Sequence, residues 1–240
     1  MNVSLSYYTS AGGREENEDS VYINEFGKAI TAIVADGLGG HENGKQASEL
    51  AVKVISSELI GVDKVTADKV REALYKANKE ILAKQNGGNM CSTAAVLYAD
   101  NDTAVAAHVG DSRVYQFRGG KIVYQSSDHS VSQMAVNVGE ITPDEIRGHA
   151  DRNKLLRVLG NPDKYEPELR EIEVRKGDAF LLCSDGFWEL ILETEMQKCL
   201  EGSSDAGEWL RSMRRVVDGR MTPKSDNNTA AAIIIGGSNE

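Results

Sequence analysis

An apolar run that stops at an aspartate and a cluster of glycines constrains this chain more than any other feature. Ala29–Ala35 is almost wholly apolar and reads as a buried strand. It ends in Asp36, and Gly37-Leu38-Gly39-Gly40 follows. A carboxylate at a strand end, beside glycines that let other groups approach the backbone, suits a metal ion or a phosphate. The pattern returns along the chain. Asp111 follows Val109-Gly110, Asp185-Gly186 follows the apolar Ala179–Cys183, and Asp226 comes just before Thr229–Ile235. A single Asp-Gly is ordinarily a turn. Several such carboxylates at the strand ends of one core would repel one another, and a cation would relieve the repulsion. Oxygen-only ligands point to Mg²⁺ or Mn²⁺, and the sequence has no His/Cys set with zinc spacing. Two such ions could clamp a phosphoryl group and lower the pKa of a water between them.

The surrounding pattern sets the fold class. Val3–Thr9 and Ser20–Phe26 read as strands before the first apolar run. Gln46–Leu59 and Thr66–Lys84 each place their apolar residues on one helical face, with Thr66 as N-cap and Gly87-Gly88 as a stop. Strands follow over 92–98, 103–109 and 113–117, and Gly119-Gly120 turns the last of these into Lys121–Gln125. Residues 128–160 are mostly polar, an excursion over the surface of the kind that serves as a lid or substrate contact. Strands over 169–174, 179–183 and 229–235 enclose helical patterns over 193–200 and 205–217. Long helices between runs of hairpin-linked strands favour an α+β fold with antiparallel sheet over a doubly wound parallel one.

With 240 residues and no linker-like break, one domain spanning residues 1–240 is expected. The formal net charge of -10 argues against a nucleic-acid or anionic-membrane binder, which would need clustered Lys and Arg. No signal peptide or membrane-spanning run is visible. Cys91, Cys183 and Cys199 form a sparse, odd set without CxxC, as expected of reduced thiols in the cytoplasm.

The motifs, taken in order, make the chain resemble the metal-dependent Ser/Thr protein phosphatases of type 2C (the PPM family), bacterial branch. They are Arg14-xxx-Glu18-Asp19-Ser20, VADGLGG at 34–40, Ser92-Thr93-Ala94, VGDSRVY at 109–115 and Asp128-His129-Ser130. GEIT at 139–142, Arg152-Asn153 with Leu156 and Leu159-Gly160, LLCSDGFWE at 181–189 and DNNT at 226–229 complete the series. The resemblance implies a four-layer α-β-β-α sandwich of two antiparallel sheets flanked by helices, with a small flap over about residues 130–160. It implies hydrolysis of phosphoserine and phosphothreonine by a water bridging two Mn²⁺ or Mg²⁺ ions. By residue matching, Asp36 would bridge both ions, the Gly37 carbonyl would complete one shell, and Asp185 and Asp226 would bind the other ion. Glu18 and Asp19 would hold metal-bound waters, Arg14 would bind the phosphate, and Asp111 would serve a third, weaker metal site with Asp185. Phosphorylated proteins and a cognate Ser/Thr kinase would be the partners, and a monomer is expected. Many eukaryotic members carry His just after the Asp-Gly; here Leu38 stands there, and the general acid has no assigned residue.

Three other readings compete. Gly39–Lys45 fits the start of a P-loop between a strand and a helix, but Gln46 stands where its Ser/Thr ligand belongs. A cysteine-based phosphatase needs Arg six residues after the nucleophile, and those positions hold Leu97, Glu189 and Asp205. A catalytically silent, metal-binding regulatory module is the third; the presence of Asp36, Asp185 and Asp226 argues for activity. The residues themselves leave bland roles open. Arg14 could be a surface ion pair, and Trp188 and Trp209 packing aromatics. Asp178 could be a turn residue, Asp128 and His129 could order the flap entrance, and His41 could be a solvated loop residue.

Overall fold

The structure is a computed structural model in which residues 2–39, 42–61, 64–85 and 89–236 are described. His41 and the Gly87-Gly88 stop lie outside the described residues. Eleven strands run β1 (Val3–Ser10), β2 (Asp19–Phe26), β3 (Ala29–Leu38), β4 (Cys91–Ser92), β5 (Ala94–Ala99), β6 (Thr103–Val109), β7 (Arg113–Arg118), β8 (Lys121–Gln125), β9 (Glu168–Glu173), β10 (Ala179–Cys183) and β11 (Asn228–Ile235). The helices are α1 (Glu42–Leu59), α2 (Ala67–Lys84), α3 (Val131–Asn137), α4 (Asp185–Trp188), α5 (Glu193–Glu201) and α6 (Ala206–Asp218), with a 3₁₀ turn over Pro143–Gly148.

One sheet has the order β1-β11-β10-β7-β8, and the other the order β2-β3-β5-β6-β9 with β4 added to β3. Every pairing within them is antiparallel. This is the α+β architecture expected from the hairpins, and it removes the P-loop reading, whose fold needs parallel strands.

Side-chain alternation explains the layering. On β3, Ile30, Ala32 and Val34 face the other sheet, where they meet Phe180, Leu182, Ala231 and Ile233. Ile33 and Ala35 point the other way and pack on α1 and α2 through Ala47, Ala51, Ile55, Leu74 and Ile81. The outer face of the other sheet carries Tyr115, Phe117 and Leu181 under Trp209, Leu210 and Met213 of α6 and Met196 of α5. Strands buried on both faces are continuous apolar runs, which is why β3, β10 and β11 stand out in the sequence. The order of layers is therefore helix, sheet, sheet, helix.

Two details depart from the sequence reading. Helix α1 begins at Glu42, four residues before the expected start at Gln46, and so takes in Asn43 and Gly44. Asp178 is more than a turn residue. It is fully buried, and its carboxylate accepts from Gln116 at 3.0 Å and from Arg118 at 2.8 and 2.7 Å. It also accepts from the Arg175 backbone N–H at 2.9 Å, closing the turn that feeds β10. Asp178→Ala removes the acceptor shared by Gln116, Arg118 and the Arg175 N–H at a buried site, so urea unfolding should show a loss of about 3 kcal/mol. A loss near zero would mean that water replaces the carboxylate there.

Candidate metal centre

The carboxylates come together because their strands end at the same edge of the sandwich. β2 and β3 pair in a register that sets Asp19 opposite Asp36. β10 and β11 lie side by side, so the chain leaving β10 at Ser184-Asp185 sits beside the chain entering β11 at Asp226-Asn227. Asp111 follows β6 directly. The result is a cleft of about 520 Å³ lined by Arg14, Glu18, Asp36, Gly37, Leu38, Asp111, Leu155, Asp185 and Asp226, among others. Of the residues proposed from sequence, only Asp19 is outside this lining; it is buried immediately behind Asp36.

Backbone contacts fix each carboxylate. The Asp36 N–H donates to Thr93 Oγ1 at 2.9 Å, and its carbonyl accepts from the Thr93 N–H at 2.8 Å and from Ser92 Oγ at 3.0 Å. Asp185 opens α4, and its Oδ1 accepts from the Gly186 N–H at 2.6 Å. Asp226 Oδ1 accepts from the Asn227 N–H at 2.9 Å, while Oδ2 accepts from Arg14 Nη2 at 2.8 Å. The Asp111 carbonyl accepts from Trp188 Nε1 at 3.0 Å, and the Arg113 guanidinium lies over the Trp188 ring at 3.5 Å. Arg113 is in turn held by both oxygens of Asp128 at 2.8 and 2.7 Å, a pair that is buried throughout. Trp188 therefore does more than pack, and Arg113 makes a buried ion pair beside the site.

Glycine is required where backbones close on one another. A Cβ on Gly186 would lie 2.0 Å from the Asn227 carbonyl oxygen. A Cβ on Gly37 would lie 2.0 Å from the Gly44 carbonyl oxygen, in the first turn of α1. Gly44 is thus inside the helix because the helix end must sit down on β3.

Sequence reasoning missed Asn227. Its Oδ1 accepts from the Glu18 N–H at 2.8 Å, and its Nδ2 donates to the Ala11 carbonyl at 2.9 Å and the Glu16 carbonyl at 2.8 Å. One amide thereby pins the Arg14 loop to the strand that carries Asp226. The doubled Asn of DNNT was the available signal, but nothing in it indicates partners 200 positions away.

The electrostatics are those of a site built for positive charge. Burial pushes Asp36 and Asp185 well above the usual carboxylate range, and the neighbouring carboxylates push further. Asp19 rises to about 6, chiefly through burial, although Ser184 Oγ donates to its Oδ2 at 2.7 Å. Asp111 rises to about 7 through burial and then the Asp128 charge, with Arg113 pulling it back. Asp19 Oδ1 is buried without a hydrogen-bond partner among the described residues. Clustered carboxylates, an orphaned buried oxygen and an all-oxygen donor set fit hard divalent cations.

A second group is different in kind. His108, His129 and Glu168 bring three ligand atoms within 4.8 Å of one another. The two rings are stacked at 4.4 Å, and Arg157 Nη1 lies 3.3 Å from His129 Nε2. Burial lowers both histidines, His129 to about 3, so the pair is neutral. Its links run to the backbone. The Gly110 N–H donates to His129 Nδ1 at 3.3 Å, and the His129 N–H donates to the Gly110 carbonyl at 2.9 Å. It props Gly110-Asp111 from behind and does not line the cleft.

The cleft thus gathers part-buried carboxylates suited to divalent cations, with one guanidinium at its rim. The family is fixed by comparison with known proteins. Residues 12–221 match the family "Protein phosphatase 2C", and the chain belongs to that family. The protein phosphatase PhpP of Streptococcus pneumoniae is 32% identical over 205 residues, covering 81% of this chain and 83% of PhpP. The crystal structure of the Mycobacterium tuberculosis serine/threonine phosphatase PstP/Ppp superposes with a TM-score of 0.87 at 27% identity, covering 98% of this chain and 99% of that one. A structure of the catalytic domain of the serine/threonine protein phosphatase PstP in complex with two manganese ions superposes with a TM-score of 0.82 at 28% identity, covering 98% and 100%.

The raised carboxylates predict how stability follows pH. Their folded pKa values exceed the unfolded one, so the folded state holds the extra protons. In chelator, stability should be greatest below about pH 4 as far as these groups are concerned. It should fall as pH rises through about 6 and 7, the values for Asp19 and Asp111. Excess Mn²⁺ or Mg²⁺ should cancel most of this loss, and thermal unfolding at pH 5 and pH 8, with and without the ion, measures it. An ion-induced shift as large at pH 5 as at pH 8 would show that cations act elsewhere.

Proposed function

We propose that this protein phosphatase removes phosphate from phosphoserine and phosphothreonine in proteins, using two Mn²⁺ or Mg²⁺ ions held in the carboxylate cleft. The observation that carries the reading is the convergence of Asp36, Asp185 and Asp226 in one cleft with Arg14 at its rim. When bound, the ions supply positive charge to the phosphoryl oxygens and a water of lowered pKa. Asp36 and the Gly37 carbonyl are assigned to the ion on the β3 side, with Asp36 shared by both. Asp185 and Asp226 are assigned to the other, and Asp111 with Asp185 to a third, weaker position. Glu18 and Asp19 orient the waters of the site, and the unpartnered Asp19 Oδ1 supports that role.

Arg14 is assigned to the phosphate. Its guanidinium is paired with Asp226, yet its side chain is 57% exposed and free to swing. Asp226 would help hold an ion, and the planar fork of Arg14 at the rim would bond two phosphate oxygens and stabilise charge on the equatorial oxygens as the ester bond breaks. Leu38, two residues after Asp36, is apolar and has no proton to give the leaving alkoxide. Completeness of the carboxylate set favours turnover over a silent regulatory role.

The working unit in this reading is a single domain of residues 1–240 with residues 130–160 as its flap, acting as a monomer. Its counterpart is a Ser/Thr kinase, because that chemistry makes the substrates. The cytoplasm is its setting, which the free thiols of Cys91, Cys183 and Cys199 support. Among the described residues, no helix is long and apolar enough to cross a membrane.

An assay on a phosphothreonine peptide with Mn²⁺, with and without chelator, tests the mechanism. Chelator and Asp185→Asn should each cut kcat by a factor of about 100 or more. Turnover surviving both would sink it. For Arg14→Ala, steady-state kinetics should show a KM raised about 10-fold, as expected for a charged hydrogen bond. Unchanged KM and kcat would remove Arg14 from the site.

A further inference from the structure

We propose that Arg152, Arg220 and Lys224 form a second anion subsite beside the carboxylate cleft, which takes an acidic or phosphorylated side chain flanking the target residue of a protein substrate. The inference rests on the phosphatase reading and adds a rule of substrate choice to it.

A cavity of about 280 Å³ adjoins the cleft and shares Arg14, Asn153, Asp185 and Asp226 with it. Its far walls are basic, and the cations reach it from three separate segments: Arg152 from the flap, Arg220 from just beyond α6, and Lys224 from the turn before β11. In a chain of net charge -10, such convergence runs against the average composition. Asp185, Asp226 and Glu189 also line it; the two aspartates belong to the cation centre, and Glu189 is paired with Arg152.

The three cations differ in how much binding capacity they retain. Arg152 Nε donates to Glu189 Oε1 at 2.6 Å, and its two terminal nitrogens have no hydrogen-bond partner among the described residues. Arg220 is locked. Nη1 and Nη2 each donate to Glu195 at 2.7 Å, and Nη1 also donates to the Leu190 carbonyl at 2.9 Å. Paired with Glu195, it stiffens this wall, and the free donors are those of Arg152 and Lys224. Lys224 is exposed and has no ion-pair partner among the described residues.

The turn that presents Lys224 is held in place. The Thr222 N–H donates to Ser225 Oγ at 2.8 Å, and the Ser225 N–H donates to the Thr222 carbonyl at 3.0 Å. The turn is also fastened to the Arg14 loop, because the Gly13 N–H donates to the Ser225 carbonyl at 2.9 Å. A Cβ on Gly13 would lie 2.4 Å from the Pro223 carbonyl oxygen, so the contact is close. Lys224 is thereby kept beside the phosphate-binding Arg14. A peptide whose phosphate sits at Arg14 places its flanking side chains within reach of this wall, and a negative one is favoured.

Matched phosphothreonine peptides test this: one with neutral flanks, others with Asp or a second phosphothreonine at successive flanking positions. The wild-type enzyme should show a KM about 3- to 10-fold lower for at least one anionic peptide than for the neutral one, and the advantage should shrink in high salt. Lys224→Ala should lose most of that advantage while leaving kcat and KM on the neutral peptide unchanged, and Lys224→Arg should restore it. Arg152→Gln should also reduce it. Equal KM values for all peptides with the wild-type enzyme, or an advantage that survives both Lys224→Ala and Arg152→Gln, would overturn the subsite. Failure to hydrolyse any of the peptides with Mn²⁺ present would instead overturn the phosphatase reading itself, and the subsite with it.

Discussion

Repulsion among buried carboxylates is the constraint on which the rest of the structure depends. Asp19, Asp36, Asp111 and Asp185 are all pushed upward by burial and by one another. A chain has little reason to gather such groups at one edge unless a cation or protons occupy them. The sandwich behind them is therefore the rigid element. Apolar faces on both sides of β3 and β10 fix where each strand ends, and the ends fix the carboxylates. The close approaches at Gly37 and Gly186 leave the neighbouring backbone no room to relax away. Function is bought with local electrostatic strain that the core on either side must outweigh.

A second shell of contacts decides where the strain goes. Arg113, stacked on Trp188 and paired with Asp128, supplies buried positive charge behind Asp111. The neutral His108–His129 stack holds the Gly110 backbone from the other side. The flap is tied into the same region, since Arg147 donates to both oxygens of Glu193 and Arg152 to Glu189. Movements of the flap and adjustments at Asp111 thus run through shared partners, and Glu193 also touches Arg113.

Much of this was legible in the sequence, for identifiable reasons. Strands such as β3, β10 and β11 are apolar on both faces, so they show as runs that no surface strand would have. The amphipathic faces of α1 and α2 gave the helices, and Gly119-Gly120 gave the β7–β8 hairpin, where both residues adopt positive φ. The carboxylates were legible because they recur at strand ends. What was not legible depended on distant partners. Gly44 looked like a loop residue because a helix normally excludes glycine; the Glu18 side chain and the Gly37 backbone, both close to where its Cβ would lie, explain it. Helix α4 is a single turn, too short for any periodicity to reveal. Asp178 and Asn227 were read as turn and motif residues, since nothing local announces the arginine or the loop that each one holds.

The Asn227 clamp has a consequence for how the protein comes into being. Its partners lie 209 to 216 positions earlier, and among the described residues β1 finds its only sheet neighbour in β11. Strand β1 can therefore complete its pairing only once β11 is available. Until β11 emerges, Arg14 has no anchored loop and the cleft lacks Asp226. A chain lacking β11 would thus carry Asp36 without the Asp226 proposed to act with it. Contacts of such long range also make for slow folding, so the cleft should be completed late, as β1 and β11 meet.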